Sequence, residues 1–88
     1  MTATKTWTVE ISIDEHENRT RAVARLVTNG TARTGKGTAR LNPSDRNVPM
    51  IGDELAAARA LSELSHQLLH AAADDIESVT AEPAHLHY

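Results

Sequence analysis

Trp7, Val9, Ile11 and Ile13 stand at alternate positions with Thr8, Glu10 and Ser12 between them. A period of two places one set of side chains on each side of an extended chain, so residues 5–13 read as a half-buried strand. The polar stretch DEHEN at 14–18 reads as a hairpin connection. A second strand follows at 19–27, with Ala22, Ala24 and Leu26 on one side and Arg19, Arg21, Val23 and Arg25 on the other. Asn29-Gly30 favours the positive φ angles of a tight hairpin. The third strand, 31–41, then sets Gly35, Gly37, Ala39 and Leu41 against Thr34, Lys36, Thr38 and Arg40. The expectation is a three-stranded antiparallel meander with one apolar face and one basic, hydroxyl-rich face.

After 41 the period changes. Pro43, Pro49 and several turn formers make 42–52 a crossing loop. Beyond Gly52 a helix is expected to run to about Ala73, with Asp53 and Glu54 in its first turn, where the helix dipole favours negative charge. Ala57, Leu61, Leu64, Leu68 and Ala71 recur at steps of four and three, and Leu55, Ala58 and Leu69 flank them. That stripe is expected to cover the apolar side of the sheet. Asp74-Asp75 reads as the cap of a short second helix carrying Ile76 and Val79 and ended by Pro83. The fold class is α+β, in the order βββαα, as a single domain over 1–88.

With 88 residues, one Trp, one Tyr and no Phe, the core must be built from aliphatic side chains and many alanines. Such a core is small, which favours support from a partner subunit. The absence of cysteine excludes disulfides and thiolate metal sites. The amino terminus runs directly into the strand pattern, and no apolar run approaches a membrane span, so the expectation is a soluble, cytoplasmic protein without membrane contact.

The net charge of −3 conceals a strong segregation. Residues 19–46 carry Arg19, Arg21, Arg25, Arg33, Lys36, Arg40 and Arg46 against Asp45 alone, whereas acidic residues dominate 1–18 and 47–88. A basic middle between acidic ends marks either an anion-binding face or elements that attract one another. Arg21, Arg25, Lys36 and Arg40 should project from neighbouring strands to one side, and guanidinium groups suit phosphate oxygens. With Arg46 in the following loop they form the candidate RNA- or anion-binding set. No aromatic residue shares that face, so base stacking is not on offer and the contact would be directed at the backbone. The alternative is an ordinary solvated face, partly paired with Glu10 across the strands.

Other chemistry finds less support. The stretch 30–36, GTARTGK, fits the start of a phosphate loop, but Gly37 stands where the magnesium-holding hydroxyl belongs, and a strand rather than a helix follows. His66 and His70 are spaced i, i+4, and His85 and His87 could join them on a metal, yet both helical histidines fall on the polar face without carboxylate or thiolate ligands in a recognisable spacing. No catalytic arrangement, cofactor or small-molecule substrate is implied.

The segments WTVEISIDEHENRTRAVARL (7–26), GTARLNPSDRNVPMIGDELAAARALSEL (37–64) and DIESVTAEPAHL (75–86) resemble a family of small actinobacterial proteins of unknown function with a fold similar to the double-stranded-RNA-binding domain. The family includes a hypoxia- and dormancy-associated mycobacterial member. The resemblance implies a sheet-plus-helix domain that dimerises, and a kinship with ribosome hibernation factors. It carries no catalytic residues. Two departures from RNA-binding domains of that fold stand out: only four residues precede the first strand, and Asp53 and Glu54 occupy the helix start, where such domains place lysines.

Overall fold

Two tight turns set the sheet. In the computed structural model, which describes residues 2–41, 48–81, 83, 84 and 86, Glu17 and Asn18 have φ angles of 45° and 61°, and Asn29 and Gly30 of 49° and 80°. Positive φ at both central residues is the turn geometry whose twist matches that of paired strands. The strands β1 (Val9–His16), β2 (Arg19–Thr28) and β3 (Thr31–Arg40) therefore form an antiparallel meander in the order β1-β2-β3. The first connection is shorter than DEHEN suggested: Asp14, Glu15 and His16 belong to β1, opposite Arg21, Thr20 and Arg19.

The register places Val9, Ile11 and Ile13 beside Leu26, Ala24 and Ala22, and Ala24 and Ala22 beside Gly35 and Gly37. One face of the sheet is thus continuous in small and aliphatic residues, and a single helix, α1 (Pro49–Thr80, 32 residues), lies on it. The helix begins at Pro49 and not after Gly52, since proline lacks only an N–H that a first turn leaves unpaired. Asp53 and Glu54 consequently sit beyond the first turn, which holds no acidic residue. The expected second helix is a continuation of the first: Asp74-Asp75 lies inside α1, which ends where Ala81 turns left-handed (φ 60°) and its N–H donates to Glu77 O at 2.7 Å. Helical spacing persists through Ile76 and Val79, so nothing at Asp74-Asp75 breaks the chain direction.

The helix packs more closely, and on a different stripe, than its leucines suggest. A Cβ at Gly35 would meet the Ala60 carbonyl oxygen and lie 2.6 Å from the Leu64 nitrogen; one at Gly37 would meet the Ala56 oxygen, the Ala60 nitrogen and, at 2.7 Å, the Arg59 Cβ. Helix backbone rests directly on strand backbone. The residues that touch the sheet are therefore the small ones, and the buried core is Ala22, Ala24, Leu26, Ala39, Ala56, Ala60 and Leu64, with Leu68 packed against it. The expected stripe through Ala57 and Leu61 is turned aside: Ala57 is half-buried and Leu61 exposed.

Candidate anion-binding face

The strand alternation that buries Ala22, Ala24 and Leu26 sends the basic residues the other way. Arg21 and Arg25 of β2 and Lys36 and Arg40 of β3 are all exposed on the face that α1 does not cover. Residues in register lie about 5 Å apart and diagonal ones about 7–8 Å. Arg25 is opposite Thr34 and diagonal to Lys36, and Arg21 is opposite Thr38 and diagonal to Arg40. Arg19 joins them directly opposite Arg40. Like charges in that position repel unless an anion lies between them. Lys36, opposite Val23, is diagonal to both Arg21 and Arg25, so Arg19, Arg21, Arg25, Lys36 and Arg40 form one continuous patch. Arg46 of the sequence-derived set lies outside the described residues.

The same face carries acid along its other edge. Glu10 is opposite Arg25 and Asp14 opposite Arg21. Among the described residues these carboxylates do not close to ion-pair distance on the arginines; the ion pair seen is His16 Nε2 with Glu17 Oε1 at 3.9 Å in the turn. Positive charge is least compensated toward β3.

Arg33, on the opposite face, leans back on its own hairpin, donating from Nη1 to Thr28 Oγ1 at 3.4 Å. The stretch that resembles a phosphate loop is no loop: Gly30 is in the turn and Lys36 is mid-strand, with no helix following directly. His66 and His70 are exposed on α1. His85 and His87 lie outside the described residues, among which no group of three potential metal ligands gathers. A hollow of about 590 Å³ opens at the end of the sheet between Leu41 and Val48, walled by Ile51 and Leu55 and rimmed by Glu15 and Glu17; of the basic set it touches Arg40 alone. Among the described residues, no helix is long and apolar enough to cross a membrane.

One arrangement at the edge of this face was not read from the sequence. β3 is an edge strand, and Arg59, Glu63 and Gln67, spaced i, i+4, i+8 on α1, reach its outer backbone. Gln67 Nε2 donates to Thr34 O at 2.7 Å, Lys36 N donates to Glu63 Oε2 at 3.2 Å, and Arg59 Nη1 donates to Thr38 O at 2.7 Å. The regular spacing of long polar side chains was visible; that they face strand backbone follows from the close seating of the helix. Arg59 and Glu63 thereby bring one charge of each sign to the β3 edge beside Thr38 and Lys36.

Architecture and face together define a small α+β protein with an open, basic sheet surface. The chain belongs to the Rv2632c-like family, whose model matches residues 5–85. It is 60% identical over 82 residues to the uncharacterized protein Mb1767 of Mycobacterium bovis, covering 93% of this chain and 87% of that protein. It is 51% identical over 79 residues to the uncharacterized protein Rv2632c of Mycobacterium tuberculosis, covering 90% and 85%. The crystal structure of Rv2632c superposes with a TM-score of 0.86 at 49% identity, covering 93% of this chain and 98% of that one.

Proposed function

We propose that the protein acts without catalysis, as a homodimer, and that its open sheet face meets the phosphate backbone of ribosomal or other structured RNA during stress or dormancy. The observation that supports this reading most is the juxtaposition of Arg19 and Arg40 in direct register, with Arg21 diagonal to Arg40 and all three exposed. Guanidinium groups placed side by side on an open surface match phosphate oxygens in geometry and charge. The lack of an aromatic residue on the face directs the contact to phosphate and not to bases. The kinship with ribosome hibernation factors that the family resemblance implies is the reason for taking the ribosome as the setting.

Glu10 and Asp14 favour a second reading, in which the half-acidic, half-basic face docks a charged protein and no nucleic acid. Salt titration separates the two. Binding to ribosomes or to a short RNA duplex should weaken on a log–log plot with a slope of about −0.7 to −0.9 per phosphate neutralised. No binding to either at low salt would leave the protein-docking reading.

A further inference from the structure

The basic residues are not spread evenly over the open face; they crowd round Thr38. Arg21 stands directly opposite Thr38 on β2, and Arg19 is diagonal to it. Lys36 and Arg40 are its neighbours on the same face of β3, two residues away on either side. An opposite residue lies about 5 Å off and a diagonal one about 7–8 Å, and a step of two along a strand is about 6.7 Å. Arg19, Arg21, Lys36 and Arg40 therefore all start within about 8 Å of one threonine. Their long stems let the charged ends converge over it. All five residues are exposed.

Carboxylates are held back from this point. Asp14 faces Arg21 from β1, two strands from Thr38 and so about 10 Å away, and Glu10 faces Arg25. At the outer edge of β3, Glu63 Oε2 accepts from Lys36 N at 3.2 Å, but the charged group that reaches Thr38 is Arg59, whose Nη1 donates to Thr38 O at 2.7 Å. A hydroxyl ringed by cations, with Arg19 and Arg40 in direct register, carries a repulsion that a compact anion relieves.

The crowding says which anion suits it. Diester phosphates of a nucleic acid carry one negative charge each and are strung out along the backbone. Directly linked phosphates concentrate several charges within the span of the cluster. The chain as a whole has a net charge of −3, so a free polyanion is drawn to this spot and not to the molecule at large. Among the described residues no Trp, Tyr or Phe shares the face, which leaves a nucleobase nothing to stack on. We propose that the cluster around Thr38 is a site for a short oligophosphate chain, free or borne by a nucleotide. Arg19, Arg21, Lys36 and Arg40 hold the chain, and the Thr38 hydroxyl donates to a phosphate oxygen. The inference rests on the reading of this face as anion-binding and adds a regulation to it: oligophosphate and RNA draw on the same cations, so the small ligand displaces the large one.

The probe is tripolyphosphate in magnesium-free buffer at low salt. Calorimetry should show saturable binding, tighter than that of orthophosphate by about tenfold or more, because each added charge beside a cation contributes. Amide shifts should be largest at residues 19–21 and 36–40. Arg21→Gln and Arg40→Gln should each weaken binding by about fivefold, the upper end for an exposed ion pair. Arg33→Gln removes an equal charge from the opposite face and should leave it unchanged. ATP and GTP should bind alike and no tighter than tripolyphosphate, and all three should release a bound RNA duplex at an ionic strength where chloride does not. No saturable binding at millimolar tripolyphosphate, or a loss in Arg33→Gln as large as in Arg40→Gln, would overturn the site; so would a clear preference for one nucleobase. A protein that binds the RNA duplex but not tripolyphosphate overturns this inference alone. One that binds tripolyphosphate at these residues but no RNA upholds the site and removes the RNA reading.

Discussion

Gly35 and Gly37 govern how this sequence folds more than any leucine does. Each stands where a Cβ would meet helix backbone and not a flexible side chain, so the neighbour cannot move aside without moving α1. Gly37→Ala should destabilise the fold by about 3 kcal/mol, the upper end for overpacking a tight contact, read as a lower denaturation midpoint at unchanged slope. Gly30 is a contrasting case, with φ of 80° and nothing within 4 Å of a Cβ. Gly30→Ala should cost only about 1 kcal/mol, from the left-handed backbone. Equal losses at both positions would mean that the helix does not sit on the strand as described. At this scale the sequence was informative: alternation assigned Arg21, Arg25, Lys36 and Arg40 to one face and the two glycines to the other. The rotation of the helix was not legible, because periodicity identifies the apolar arc of α1 but not which part of it small residues allow closest to the sheet.

Among the elements, the strand pattern translated closely into β2 and β3, while β1 starts four residues later than expected, leaving Trp7 outside it, and runs three residues past its expected end. The helix did not, since Pro49 starts it and Asp74-Asp75 continues it; proline and paired aspartates are compatible with both a boundary and a first or middle turn. The hydrogen bonds from Arg59, Glu63 and Gln67 to β3 belong to this scale as well. A sheet edge with free N–H and C=O groups recruits other strands, and these side chains occupy it. Gln67→Ala should cost about 1 kcal/mol, the net value of a neutral hydrogen bond. The triple variant Arg59→Ala/Glu63→Ala/Gln67→Ala should in addition form large thioflavin-positive assemblies at concentrations where the wild type remains clear. A triple variant that is merely less stable, with no change in assembly, would show that these contacts do not guard the edge.

For the molecule as a whole, the two sides of the sheet divide the work. The side bearing α1 holds the small alanine-rich core and leaves β1 exposed. The other side stays open, and its cations, gathered toward β3, are the feature from which the proposed function is drawn. Sequence alone could place the basic residues together, but the opposition of Arg19 to Arg40, and of Glu10 and Asp14 to Arg25 and Arg21, depended on a register that only the two-residue turns fix. The measurement that tests the account most directly is co-sedimentation with ribosomes from starved cells, comparing wild type with Arg25→Glu/Arg40→Glu over a salt series. The account predicts that the wild type pellets with ribosomes at low salt and is released steeply as salt rises, while the folded double variant stays in the supernatant; a double variant that pellets as fully as the wild type, with the same salt dependence, would contradict it.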